Sequence, residues 1–140
     1  MTESNDKLSI VLFSGTVDKL MAASIITAGA AAMGKDVTIF LTFWGLMAFK
    51  KDAWKTNQRL SKDFEDYGPA AMQAMREKKV PSFMETLKDA MDVGNVKVKA
   101  CGMTMDLFGI KLEDLEPVVS EVTGVGTFVE DSSGGQTLFI

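Results

Sequence analysis

Two short apolar runs near the start of the chain predict buried β-strands. Residues 8–13 and 36–42 are almost continuously apolar and rich in branched side chains, as is typical of parallel strands buried on both faces. Each run is followed by a turn and a helical stretch, and the first helix is predicted to begin after Thr16 and to end near Met33. This repeated strand–helix order predicts βαβ units with right-handed crossovers.

The rest of the chain continues the alternation of strands and helices. Ser82 and Glu85 have the spacing of a helix capping box. Phe83, Leu87 and Met91 then recur every four residues, which predicts an amphipathic helix. Further strands are predicted over residues 96–100, 118–122 and 137–140, and further helices over residues 69–79, 103–108, 112–115 and 124–132. The predicted fold class is α/β, with a sheet of about five mostly parallel strands and helices on both faces.

The length of the chain suits one domain. We predict a single domain over residues 1–140, with a polar tail at residues 1–7 and a charged excursion at residues 50–68 that forms an exposed helix or a mobile segment. The tail does not have the apolar stretch of a signal peptide. The apolar run at residues 20–33 is shorter than the roughly 20 residues of a membrane-spanning helix. We therefore expect no transmembrane segment and a cytoplasmic protein.

The composition excludes several classes of function. A net charge of −4 and the absence of a basic run argue against nucleic-acid binding. The chain has no histidine, which excludes Ser-His-Asp catalysis, Cys-His catalysis and histidine metal sites. One cysteine can form no internal disulfide and supplies too few ligands for zinc. We expect neither a metal nor a resident cofactor.

The one cysteine, Cys101, lies where a predicted strand meets a predicted helix that opens with Gly102. Ligands of open α/β sheets bind at this edge, and the free N–H groups of a helix start lower the pKa of a cysteine. Lys99 lies on the same strand face and favours a thiolate if it points inward, whereas Asp106 in the first helical turn opposes one. The alternative is a buried, inert cysteine, because free cysteine is among the most buried residue types.

Two other segments are predicted to lie at the same edge of the sheet. Ser14, Gly15 and Thr16 follow the first strand, where a helix start can cradle an anion. They form neither a Walker loop nor a dinucleotide-binding loop, and the alternative is an ordinary turn. Phe43 and Trp44 follow the second strand. They either form an apolar wall beside the thiol or pack in the core.

Several segments taken together resemble one known family. They are Ser14-Gly15-Thr16 with its small-residue helix, Thr42-Phe43-Trp44-Gly45, Val80-Pro81-Ser82-Phe83, Ala100-Cys101-Gly102-Met103-Thr104-Met105-Asp106 and Gly124-Val125-Gly126. The chain resembles the DsrE/DsrF-like sulfur-relay (TusD-like) family, in its peroxiredoxin-like branch, over almost its whole length. The resemblance implies a flavodoxin-like or Rossmann-like domain that forms dimers, trimers or larger assemblies. It also implies that Cys101 carries sulfur.

The chain departs from part of the family at one position. Some members have a second cysteine before the one that corresponds to Cys101, and this chain has Val93 there. An internal relay between two cysteines is therefore excluded. The second thiol of a sulfur transfer has to belong to a partner.

The leading hypothesis is a sulfur carrier or sulfurtransferase. Cys101 accepts sulfane sulfur from a donor protein or a small sulfur compound and passes it to a partner thiol. The N–H groups of Gly102 and Met103 and the hydroxyl of Thr104 are predicted to stabilise the anion. The alternative is a non-catalytic oligomeric protein that binds a small anion or a partner, with a structural cysteine. Flavin or nucleotide binding rests on fold analogy alone, and peripheral membrane association stays open.

Overall fold

The protein is built around one parallel β-sheet. The computed structural model describes residues 6–140, and its strands are β1 (Lys7–Leu12), β2 (Asp36–Leu41), β3 (Val96–Cys101), β4 (Val119–Thr123) and β5 (Gln136–Phe139). The strand order is β4-β3-β2-β1-β5, and every neighbouring pair is parallel. This confirms the predicted α/β class and its strand count.

Helices fill the connections between the strands. The α-helices are α1 (Val17–Ala32), α2 (Trp44–Met47), α3 (Gly68–Glu77), α4 (Phe83–Val93), α5 (Gly102–Phe108) and α6 (Val125–Ser132). Short 3-10 helices lie at Ala53–Lys55, Lys62–Tyr67 and Leu112–Asp114. The predicted capping box opens α4: the Glu85 N–H donates to Ser82 Oγ at 3.1 Å, and the Ser82 N–H donates to Glu85 Oε2 at 3.1 Å.

One face of the sheet carries the main core. The steps from β1 to β2, β3 and β4 all run in the same direction, so right-handed crossovers place their helices on one face. Leu8, Ile10 and Leu12 alternate along β1 toward this face, where Leu20 of α1 and Leu87 of α4 join the same buried cluster. The period of two along the strands therefore sorts the side chains between the two faces.

The opposite face carries a much smaller buried cluster. The connection from β4 to β5 runs back across the sheet, so the same handedness places α6 on this second face. Phe128 of α6 packs there with Phe40 of β2 and Cys101 of β3, and the partly buried Val11 lies beside them. Helices lie on both faces of the sheet, as predicted.

The charged excursion is more ordered than its composition suggests. Residues 50–68 form two 3-10 helices rather than one exposed helix, and a strap at residues 57–61 is bonded to the start of α1. The strap is held by backbone carbonyl and side-chain amide groups, which the charge pattern does not reveal. Of the polar tail predicted at residues 1–7, residues 1–5 lie outside the described part of the chain, and Lys7 begins β1.

Candidate functional site

Cys101 lies at the junction that the sequence predicts. It is the last residue of β3 and the N-cap residue of α5, with an extended backbone at φ −71° and ψ 116°. Gly109 ends α5 in the left-handed region at φ 65°, a conformation that glycine adopts without strain. The cysteine is therefore held between the carboxyl end of a strand and the first N–H groups of a helix.

The thiol of Cys101 is buried but not surrounded by hydrocarbon alone. Only 1% of the residue is exposed, and Phe40 and Phe128 form the apolar side of its surroundings. On the other side it is hydrogen-bonded to Thr104 and Thr42. The burial agrees with the structural-cysteine alternative, whereas the hydrogen bonds are those that a thiolate needs.

The balance of these surroundings sets the acidity of the thiol. Burial by itself raises the pKa of Cys101. Hydrogen bonds from the hydroxyl and N–H groups of Thr104, the hydroxyl of Thr42 and the N–H of Met103 lower it by more, so its pKa lies below the ordinary cysteine value. The site favours a thiolate through donors at the helix start rather than through a neighbouring charge.

Thr42 belongs to this site, although the sequence indicates it only as part of the segment Thr42-Phe43-Trp44-Gly45 and gives it no role. It follows β2, which pairs with β3, and its Oγ1 lies 3.2 Å from Thr104 Oγ1. The Phe43 N–H donates to Thr104 Oγ1 at 3.1 Å. Phe43 itself has φ 49° and ψ −118°, a strained backbone conformation for a residue with a side chain. The strained turn after β2 thus fixes the Thr104 hydroxyl near the sulfur.

The two charged residues near Cys101 point elsewhere. Lys99 is largely buried and forms ion pairs with Glu121 at 3.5 Å and with Asp131 at 3.9 Å. Its positive charge is therefore paired with carboxylates on β4 and on α6. Asp106 is exposed on α5. Neither residue contributes to the lowered pKa of Cys101 as the helix-start donors do.

Phe43 and Trp44 form part of an aromatic cluster at the carboxyl edge of the sheet. The centroid of the Phe43 ring lies 5.5 Å from that of Phe13, 6.0 Å from that of Trp44 and 6.1 Å from that of Phe108. Trp44 is 51% exposed, so the cluster reaches the surface. It is not the apolar wall of the thiol, a place that Phe40 and Phe128 take instead.

The predicted site residues divide between two places. Gly102, Met103 and Thr104 surround Cys101 as the first residues of α5. A cavity of about 780 Å³ lies elsewhere, lined by Ser14, Gly15, Thr16, Trp44, Met47, Ala48, Ala53, Thr56, Asn57, Gln58 and Arg59. The cavity lining does not include Cys101, so the structure does not bring the first turn together with the thiol.

Two backbone groups at the start of α1 beside this cavity are bonded to the protein's own residues 57–61. The Val17 N–H donates to the Arg59 carbonyl at 2.7 Å, and Asn57 Nδ2 donates to the Gly15 carbonyl at 3.0 Å. Burial raises the pKa of Asp18, but hydrogen bonds that include those from Ser61 lower it by more, so the pKa lies below its usual value. The Asp18 carboxylate thus lies in the first turn of α1 and accepts hydrogen bonds from Ser61, and anion binding at residues 14–16 stays a prediction.

The described residues, 6–140, limit two other kinds of site. None of their helices is long and apolar enough to cross a membrane. Within the same range, no group of three or more histidine, cysteine, aspartate or glutamate residues is arranged to hold a metal ion.

The family follows from comparison with known proteins. The model of the DsrE/DsrF/DrsH-like family matches the chain in two stretches, residues 4–72 and 59–139. The chain belongs to this family. Cys101 lies within the second stretch. The predicted resemblance is thereby confirmed, together with the α/β sandwich that it implies.

Two known proteins and one solved structure are similar over nearly the whole chain. The uncharacterized protein YrkE of Bacillus subtilis is 36% identical over all of both chains. Sulfur carrier protein DsrE2 of Allochromatium vinosum is 31% identical over 89% of this chain and 91% of its own length. The structure of protein MTH1491 of unknown function, from Methanobacterium thermoautotrophicum, superposes with a TM-score of 0.60 at 14% identity, over 97% of this chain and all of that chain. That last similarity shows the fold alone.

Proposed function

We propose that the protein is a sulfur carrier or sulfurtransferase in which Cys101 accepts sulfane sulfur and passes it to a thiol of a partner. Family membership and the sulfur carrier DsrE2 among its relatives support a sulfur-relay role. The observation that carries the residue assignment is the thiol of Cys101 at a helix start, where hydrogen bonds from Thr104, Thr42 and Met103 lower its pKa.

The loading step is a displacement at sulfur. The Cys101 thiolate attacks the outer sulfur of a donor persulfide, the S–S bond of the donor breaks, and the donor thiolate leaves with the electron pair of that bond. The product is a persulfide on Cys101, whose terminal sulfur carries the negative charge. No net oxidation or reduction occurs, so no further reagent is required.

The unloading step reverses the roles. An acceptor thiolate attacks the terminal sulfur, and Cys101 leaves as a thiolate. A low pKa helps here as well, because thiols of lower pKa are better leaving groups. The donors at Met103 and Thr104 stabilise the charge that returns to Cys101 Sγ. Since the chain has one cysteine, the acceptor is a partner protein or a small thiol.

The test is a mass measurement on the intact protein. After treatment with inorganic polysulfide and removal of the excess reagent, we expect a gain of one sulfur atom that is absent in Cys101→Ser. Cyanide should remove this sulfur as thiocyanate. Thr137→Ser, a conservative change on the exposed edge strand β5, is the matched control and should load like the wild-type protein. A Cys101→Ser variant that gains the same mass would falsify the proposal.

The burial of Cys101 favours a second candidate, a non-catalytic binding protein with a structural cysteine. In that case the folded protein takes up no sulfur from polysulfide, and unfolded protein does.

The proposal also includes self-association, a cytoplasmic location and docking to sulfur-relay partners. Exposed apolar residues on the second face of the sheet, Phe139 at 71% and Val129 at 59%, support self-association.

A further inference from the structure

We propose that α6 is a displaceable cover over Cys101, so that the thiol exchanges sulfur only when this helix detaches from the sheet. The inference rests on the proposed function and adds the regulation of the same site. Cys101, whose sulfur must meet donor and acceptor thiols, is only 1% exposed. Some part of the protein has to move before exchange.

The apolar attachment of α6 is minimal. Phe128 is the one buried residue of this helix, whereas α4 on the other face buries Phe83, Met84, Leu87 and Ala90. The Phe128 ring stacks on the Phe40 ring with centroids 4.5 Å apart and an interplanar angle of 11°. Those two rings and Cys101 make up the buried cluster of the second face, so withdrawal of Phe128 opens the apolar side of the thiol.

The polar attachment of α6 is at its carboxyl end. Lys99 Nζ lies 3.9 Å from Asp131 Oδ2, and Lys7 Nζ donates to the carbonyl oxygens of Asp131 at 3.1 Å and Ser133 at 3.3 Å. The amino end contains Gly124 as N-cap and Gly126 in the first turn. An isolated helix of 8 residues is unstable in water. The helix therefore peels from its glycine end while the lysines hold its carboxyl end.

Local opening of this kind is expected of weakly packed elements, because they have the lowest local stability in a protein. Its free energy depends on the burial of Phe128 and on the helix propensity of α6, and not on the core between α1, α4 and the sheet. Variants on the two faces of the sheet therefore separate opening of α6 from global unfolding.

The experiment measures alkylation of Cys101 by iodoacetamide at a fixed pH and at increasing urea below the unfolding transition. We expect the native thiol to react about a hundredfold or more slowly than the urea-unfolded chain, with a shallow dependence on urea that marks local opening. In Phe128→Ala, Cys101 should be alkylated about tenfold or more faster. Burial of a phenylalanine side chain stabilises the closed position of α6 by enough to change the opening equilibrium by at least this factor. The matched control Phe83→Ala, buried in α4 on the opposite face, should leave the rate in the absence of urea unchanged.

Should Phe128→Ala fail to fold, a second variant tests the same opening by stabilising α6. Apart from its chain neighbours and the backbone of α6 itself, a Cβ built on Gly126 meets nothing within 4 Å, so Gly126→Ala adds helix propensity to α6 without a clash. We expect alkylation to slow about threefold. An unchanged or faster rate contradicts the peeling of α6, and so does equal acceleration by Phe128→Ala and Phe83→Ala.

The outcomes for the cover and for the sulfur carrier are distinguishable. Alkylation that depends on α6 together with no uptake of sulfur from polysulfide overturns the carrier function and leaves the cover. Sulfur uptake with a thiol that alkylates as fast as in the unfolded chain overturns the cover and leaves the carrier function.

Discussion

The hydroxyl oxygens of Thr42 and Thr104 lie 3.2 Å apart, one at the end of β2 and the other in the first turn of α5. Thr104 Oγ1 also accepts the N–H of Phe43, and its one proton can be donated either to Thr42 Oγ1 or to the sulfur of Cys101. The pair links the ends of the neighbouring strands β2 and β3 beside the thiol. The protonation state of Cys101 therefore depends on a residue far from it in sequence.

Replacing Thr104 by valine should raise the pKa of Cys101. The change removes the Thr104 hydroxyl, a donor that opposes the effect of burial, so the pKa moves upward. Less thiolate is present at neutral pH, and sulfur uptake slows accordingly. The measurement is the ultraviolet absorbance of the thiolate as pH increases, with Cys101→Ser as the blank. Thr104→Ser keeps the hydroxyl and should retain the low pKa, and a valine variant with the wild-type titration would contradict this account.

The part of the site that is local in sequence could be predicted. The alternation of Val96 to Ala100, followed by Gly102 and later by Gly109, places Cys101 between a strand and a helix, and the structure has that arrangement. Thr42 could not be found in this way. It lies next to Thr104 because β2 pairs with β3, and hydrophobic periodicity predicts strands without predicting their neighbours.

The elements of the fold could also be predicted, but the contacts between them could not. The run from Gly124 to Ser132 predicts a helix, yet nothing in it shows that Phe128 will join the buried cluster of Phe40 and Cys101. That placement follows from the strand order, which sends the last crossover to the second face of the sheet. The charges of residues 50–68 predict an exposed helix or a mobile segment, and they do not show that the Arg59 carbonyl and the Asn57 amide bond to the start of α1.

Alanine at Gly45 should destabilise the protein strongly. A Cβ at this position would lie 2.1 Å from the backbone oxygen of Leu12, which cannot move without disturbing β1. We expect the free energy of unfolding, measured by urea denaturation, to fall by about 1–3 kcal/mol. In the matched control Gly29→Ala on α1, the new Cβ meets nothing within 4 Å apart from its chain neighbours and the backbone of its own helix, and a gain of up to about 1 kcal/mol is expected. Similar stabilities for the two variants would show that the backbone near Gly45 is not tightly packed.

Valine at Thr27 should stabilise the protein. Thr27 is 0% exposed in α1, and its hydroxyl oxygen has no hydrogen-bond partner. Valine keeps the shape and removes the unsatisfied polar group, which is worth about 1 kcal/mol and about 3 °C in the unfolding temperature. Calorimetry gives the comparison, with Thr104→Val as the counterpart that loses a bonded hydroxyl and should be less stable. A Thr27→Val variant with a lower unfolding temperature contradicts the absence of a partner.

Removing the charge of Asp18 should destabilise the protein in a way that depends on pH. The Asp18 carboxylate accepts the Ser61 hydroxyl at 2.7 Å, and its pKa lies below the ordinary value because such bonds outweigh the effect of burial. A carboxyl group with a lowered pKa stabilises the fold above its unfolded pKa of about 3.9, and that stability is lost as pH falls through the folded value.

Asp18→Asn should therefore be less stable than the wild-type protein by about 1 kcal/mol at neutral pH, and the difference should shrink as the pH falls below about 4. Urea denaturation at a series of pH values measures it. Asp63→Asn is the control, because Asp63 is exposed in the neighbouring 3-10 helix at Lys62–Tyr67, and its replacement should leave the free energy of unfolding at neutral pH unchanged. If the deficit of Asp18→Asn is equally large at low and neutral pH, the carboxylate does not tie the strap to α1 through its charge.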